Sequence, residues 1–185
     1  GKQNSGLYNN KGFEGIYFDD QTRELYLLSE SGLLQKNDGD SIFYFLEYKY
    51  DGNIFKLNLE SQLNFYKTVG DKYLYNGATD LIKISENRFL ILTRSVQTAL
   101  TLSYANTVWL VSRKSSGANW EVEDQFQISG GDPESGSATI DELNQNYEGM
   151  SILEVEGKKY LVIVSDDNFH SYDKTVFSFF ELEVK

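Results

Sequence analysis

The 185-residue chain predicts an all-β fold of the β-propeller type, with about three four-stranded antiparallel blades. Three observations carry that expectation. Glycines and Asn/Asp clusters, with the single proline Pro133, punctuate short runs rich in Tyr, Phe, Ile, Leu and Val. No apolar pattern of helical period competes with those runs, apart from a short helical turn expected over 137–146. Finally, one hairpin-like unit recurs three times along the chain.

In order, the runs that read as strands lie near 13–18, 24–29, 41–49, 53–58, 63–69, 79–84, 88–94, 106–113, 119–127, 149–155, 159–165 and 174–184. Between 41 and 50, Ile42, Tyr44, Leu46 and Tyr48 alternate with Phe43, Phe45, Glu47 and Lys49. Aromatics fall on both faces, as expected for a strand covered by other sheets on either side. Trp109 and Trp120 flank a polar turn, RKSSGAN, and are expected to pack between blades.

The recurring unit is GFEGIYFDDQTRELYLLSE (12–30), GATDLIKISENRFLILTR (77–94) and YEGMSILEVEGKKYLVIVSD (147–166). Each begins near an acidic residue, Glu14, Asp80 or Glu148, spaced by 66 and 68 residues, and ends on Ser29-Glu30, Thr93-Arg94 or Ser165-Asp166. One or two further strands follow each hairpin. The expected organisation is therefore a single propeller-type domain over 1–185, with units at roughly 12–76, 77–146 and 147–185. The third is short, with three evident strands. A β-sandwich of the same strand count is the competing architecture.

Propellers typically have four to eight blades, so three form only a partial ring. Either this is half of a six-bladed propeller whose N-terminal half is absent, or two copies assemble as a homodimer. The chain opens on Gly1 rather than Met, which predicts an excised or processed segment.

Composition narrows the partners. Seventeen Lys and Arg against 28 Asp and Glu give a net charge of -11, which repels phosphate backbones and disfavours nucleic acid. No run is long and apolar enough for a membrane span, and the first ten residues lack the apolar core of a signal peptide. The absence of cysteine excludes disulfides, thiolate nucleophiles and Cys-ligated zinc.

In a propeller blade the start of the innermost strand and the end of the second lie at the same mouth. That rule gathers Glu14 with Glu30, Asp80 with Arg94, and Glu148 with Asp166, Asp167 and Asn168. Converging carboxylates raise one another's pKa unless a cation or a base compensates. Calcium takes six to eight oxygens from such side chains. The expected metal ligands are Glu148, Asp166, Asp167 and Asn168, and the expected ligand-binding residues are Glu14, Glu30, Asp80 and Arg94. Turn capping by the same acids is the simpler alternative, and glycine after Glu14 and Glu148 is explained by close backbone approach near the axis.

Nucleophilic chemistry is thinly provided for. The one histidine, His170, reads as a loop residue, and there is no G-x-S-x-G elbow, P-loop, dinucleotide fingerprint or H-E-x-x-H. The stretch 129–137, SGGDPESGS, carries two acids and no base, so it reads as a solvated loop.

Taken together, NKGFEGIYFD with LYLLSES (10–31), TDLIKISENRFLILTRS (79–95), NYEGMSILEVEGKKYLVIVSDDNF (146–169) and TVFSFFELEV (175–184) resemble the phytase-like domain family, described as having esterase-like activity of phytase. The resemblance covers essentially the whole chain and matches the C-terminal part of the family's pattern. It implies a periplasmic or extracellular bacterial propeller, with Glu14, Glu30, Glu148, Asp166, Asp167 and Asn168 at the matching positions. Two functions stay open. One is a non-catalytic propeller that binds calcium, a small molecule or a protein at its mouth. The other is a secreted, metal-assisted hydrolase of phosphate or carboxylic esters, with Arg94 as the anion contact.

Overall fold

The computed structural model describes residues 5–8, 11–33, 42–65, 75–97, 103–129, 145–167 and 174–182. Within them lie eleven strands in three antiparallel sheets, and no helix. The first sheet runs β1 (Phe13–Asp19), β2 (Glu24–Ser29), β3 (Phe43–Tyr50), β4 (Phe55–Leu63). The second runs β5 (Tyr75–Ser85), β6 (Arg88–Gln97), β7 (Ser103–Ser112), β8 (Glu121–Ser129). The third has β9 (Tyr147–Val155), β10 (Lys158–Ser165) and β11 (Phe177–Leu182). Each is a meander of sequential neighbours, so every sheet is one repeat unit. The first strands stand side by side, β1 against β5 and β5 against β9, and the sheets form propeller-like blades in an arc that does not close.

The strand expected at 53–58 is β4, which runs on to Leu63, the first residue of the next expected strand, 63–69, and is preceded by a turn at 51–54. Asp51 builds that turn by accepting hydrogen bonds from the amides of Asn53 and Ile54, and Gly52 sits at φ 100° within it. The strand therefore starts two residues late and pairs with β3 as far as Leu63. Residues 66–69 lie outside the described residues, as do Asn168, His170 and all of the helical turn expected over 137–146 except Gln145 and Asn146.

A shared irregularity fixes the register of the blades to one another. All three first strands carry a β-bulge near their beginning, at Glu14 between the pairs Phe13↔Ser29 and Gly15↔Leu28, at Thr79 between Ala78↔Thr93 and Asp80↔Leu92, and at Glu148 between Tyr147↔Ser165 and Gly149↔Val164. A bulge leaves one residue outside the ladder and re-aims its side chain. Thr79, not Asp80, is thus the counterpart of Glu14 and Glu148. Asp80 occupies the position held by Gly15 and Gly149.

Ser29, Thr93 and Ser165 are likewise equivalent, and each uses its hydroxyl to hold the third strand or its approach. Ser29 Oγ accepts from Tyr44 N at 2.8 Å, Ser165 Oγ accepts from Val176 N at 2.9 Å, and Thr93 Oγ1 accepts from the Trp109 indole at 2.7 Å.

Two cores lie between the blades. Between the first and second, Tyr26, Phe45, Phe89 and Trp120 pack with ring centroids 4.7 to 6.4 Å apart, and Trp109 stacks near Phe65. Each such aromatic pair adds about 0.5–1.5 kcal/mol beyond its buried area. The two tryptophans pack between blades, as their position beside the turn suggested. Between the second and third the core is mainly aliphatic, with Leu90, Leu92, Val108, Met150, Leu161 and Ile163. At Gly15 the first two blades approach closely: a Cβ there would sit 2.4 Å from Leu81 Cδ2. Only glycine fits that contact without displacing Leu81.

Candidate functional site

The bulges and the ends of the second strands meet at one end of the blades, and there the charged residues converge. Glu30 follows β2 and is buried, its backbone amide donating to Gly12 O at 2.9 Å and its carbonyl accepting from Ala78 N at 3.2 Å. The first bond closes the hairpin of the first blade on its own start, and the second ties it to β5. Beside it, Gly77 leaves room for the Glu30 carboxylate, since a Cβ there would lie 3.0 Å from Glu30 Oε1.

Two bases meet this carboxylate. Lys11 Nζ is 3.6 Å and Arg94 Nη2 is 3.8 Å from Glu30 Oε1, and Lys11 also donates to Asn76 O at 3.3 Å. Arg94 then reaches the third blade, donating through Nη1 to Asn146 Oδ1 and Glu148 Oε1. Asn146 Nδ2 donates to the same Glu148 oxygen at 2.7 Å, and Asn146 O accepts from Asp166 N at 2.9 Å. A chain of contacts therefore runs Lys11, Glu30, Arg94, Glu148, Asn146, Asp166 across all three blades.

Glu14 stands apart from that chain. Its side chain has no hydrogen bond or ion pair among the described residues, and the residue is exposed. Its carboxyl is pushed above the ordinary range by partial desolvation first, and then by the nearby charges of Glu30 and Glu148, with Arg94 and Lys11 opposing. Near the same contacts, Ser31 Oγ, Asn76 Oδ1 and Arg94 Nε are buried with no hydrogen-bond partner among the described residues. Polar atoms in that condition are normally satisfied by water or a ligand.

Of the residues expected to bind a ligand, Glu14, Glu30 and Arg94 are brought together. Asp80 is placed differently. Its Oδ2 accepts from Met150 N at 2.7 Å and its Oδ1 from its neighbour Leu81 N at 2.8 Å, so it pins β5 to β9 below the bulge. Desolvation raises its pKa. Of the expected metal ligands, Glu148 is engaged by Arg94 and Asn146, Asp166 is anchored at the same end through its amide, and Asn168 lies outside the described residues. No group of three or more His, Asp or Glu side chains is arranged to hold a metal ion among the described residues.

Lys11, Asn146 and Thr79 were missed by reasoning from the repeat. Lys11 precedes the first strand and Asn146 precedes the third unit's acid, so neither falls on an aligned position. Thr79 Oγ1 donates to Tyr147 O at 3.3 Å, joining the two neighbouring bulges. The one signal available for it was its place directly before Asp80.

The shallow groove of 350 Å³ beside Asn87, Arg113 and Glu123 lies at the opposite end of the strands. Its arginines are already engaged, Arg113 with Glu47 at 2.6 Å and Arg88 with Glu123 at 3.2 Å.

Comparison with curated proteins and with solved structures gave no match. A family profile, phytase-like and described as esterase-like activity of phytase, matches residues 1–169. With three propeller-like sheets and a profile match over most of its length, this chain belongs to the phytase-like family.

Proposed function

We propose that this is a ligand-binding propeller-type domain whose mouth takes a small polar ligand that brings positive charge or hydrogen-bond donors to Glu14. The observation that carries the reading is the contrast between the acids. Glu30 is paired with Lys11 and Arg94, and Glu148 with Arg94 and the Asn146 amide, while Glu14 has no such partner among the described residues and lies beside them. The buried Arg94 Nε, Ser31 Oγ and Asn76 Oδ1 supply polar groups for a ligand or its ordered water. Calcium is the simplest such ligand to test, with Glu14 as a protein carboxylate and solvent or a ligand anion supplying most of its shell, since no three acids are grouped for it among the described residues. The setting implied by the family resemblance is periplasmic or extracellular.

The test is thermal unfolding of chelator-treated protein with and without millimolar calcium chloride. A ligand that binds only the folded state stabilises it by about 2.7 kcal/mol at a hundredfold excess over its Kd. The wild-type Tm should rise and that of Glu14→Gln should not. An unchanged wild-type Tm removes calcium as the ligand.

A second reading, ester hydrolysis, is favoured by one observation. A carboxylate with a raised pKa lies near a guanidinium, the pairing a proton acceptor and an anion contact would need. Turnover of p-nitrophenyl acetate or p-nitrophenyl phosphate that falls in both Glu14→Gln and Arg94→Lys would support it. Equal rates in wild type and variants would leave the binding reading alone.

A further inference from the structure

We draw no further inference here: the strongest candidate, the pair of exposed apolar faces on the first and third sheets, with Ile16 and Phe18 on one and Phe177 and Phe179 on the other, carries nothing because nothing in the structure shows what covers them.

Discussion

Arg94 bridges Glu30 of the first blade and Glu148 of the third, so that one guanidinium from the second blade links all three. Its position directly after Thr93 makes it the equivalent of Glu30 after Ser29 and Asp166 after Ser165. The middle unit supplies the base that the two outer units lack. With Lys11 it offsets an end of the molecule where Glu14, Glu30 and Glu148 come together.

Replacing Arg94 by Met should therefore destabilise the fold, since Glu30 is buried and would lose the counter-charge that Arg94 brings from the second blade. Removing one member of a buried pair costs about 3–5 kcal/mol, and the partial exposure of Glu148 places this case at the lower end. Urea unfolding measures it. Because Arg94 opposes the upward shift of Glu14, the same variant should raise the Glu14 titration midpoint further, read by carbon-13 NMR of the carboxyl.

Glu14→Gln should leave stability unchanged or slightly increase it at pH 7, within about 0.5 kcal/mol. The carboxyl is raised in the folded state, so its ionisation costs folding free energy as pH climbs from the ordinary value of 4.5 through the folded value. Below 4.5 both states are protonated and the advantage of the variant should vanish. Paired denaturation curves at pH 4 and pH 7 check the sign.

Gly15→Ala places a methyl 2.4 Å from Leu81 Cδ2 and 3.2 Å from Leu28 Cβ. Overpacking of this kind costs about 1–3 kcal/mol. Shortening Leu81 to Ala should relieve the new clash, so the double variant should be less unstable than the sum of the two singles. A double-mutant cycle in urea gives the coupling directly.

Glu47 and Arg113 form a second inter-blade pair at 2.6 Å, both buried, with the guanidinium 4.5 Å from the Trp120 ring centroid. Asn58 also donates to Glu47, and Arg113 Nε donates to Asn87 Oδ1. Glu47→Leu or Arg113→Met alone should cost about 3–5 kcal/mol by leaving a buried charge without its counter-ion. The double replacement should cost less than either single, because no charge is then left uncompensated. Thermal unfolding of the three variants checks the order.

The strand order, the three-unit repeat, the all-β class and the meeting of Glu14, Glu30, Arg94 and Glu148 could be read from the residues. These rest on local chemistry. Alternation every second residue writes the strands, Glu156-Gly157 with positive φ turns β9 into β10, and recurrence of a hairpin places equivalent ends together. Which acids would be paired could not be read, because Arg94 meets Glu148 from 54 residues away, and Lys11, beside Glu30, also bonds Asn76 O, 65 residues on. The bulges were equally hidden. An extra residue in one strand leaves no mark in composition or period, yet it moves Asp80 out of the mouth and puts Thr79 in line with Glu14 and Glu148. Pattern along the chain set the elements, and the packing of one blade on the next chose the partners, because burial and charge are settled by distances between residues far apart in sequence.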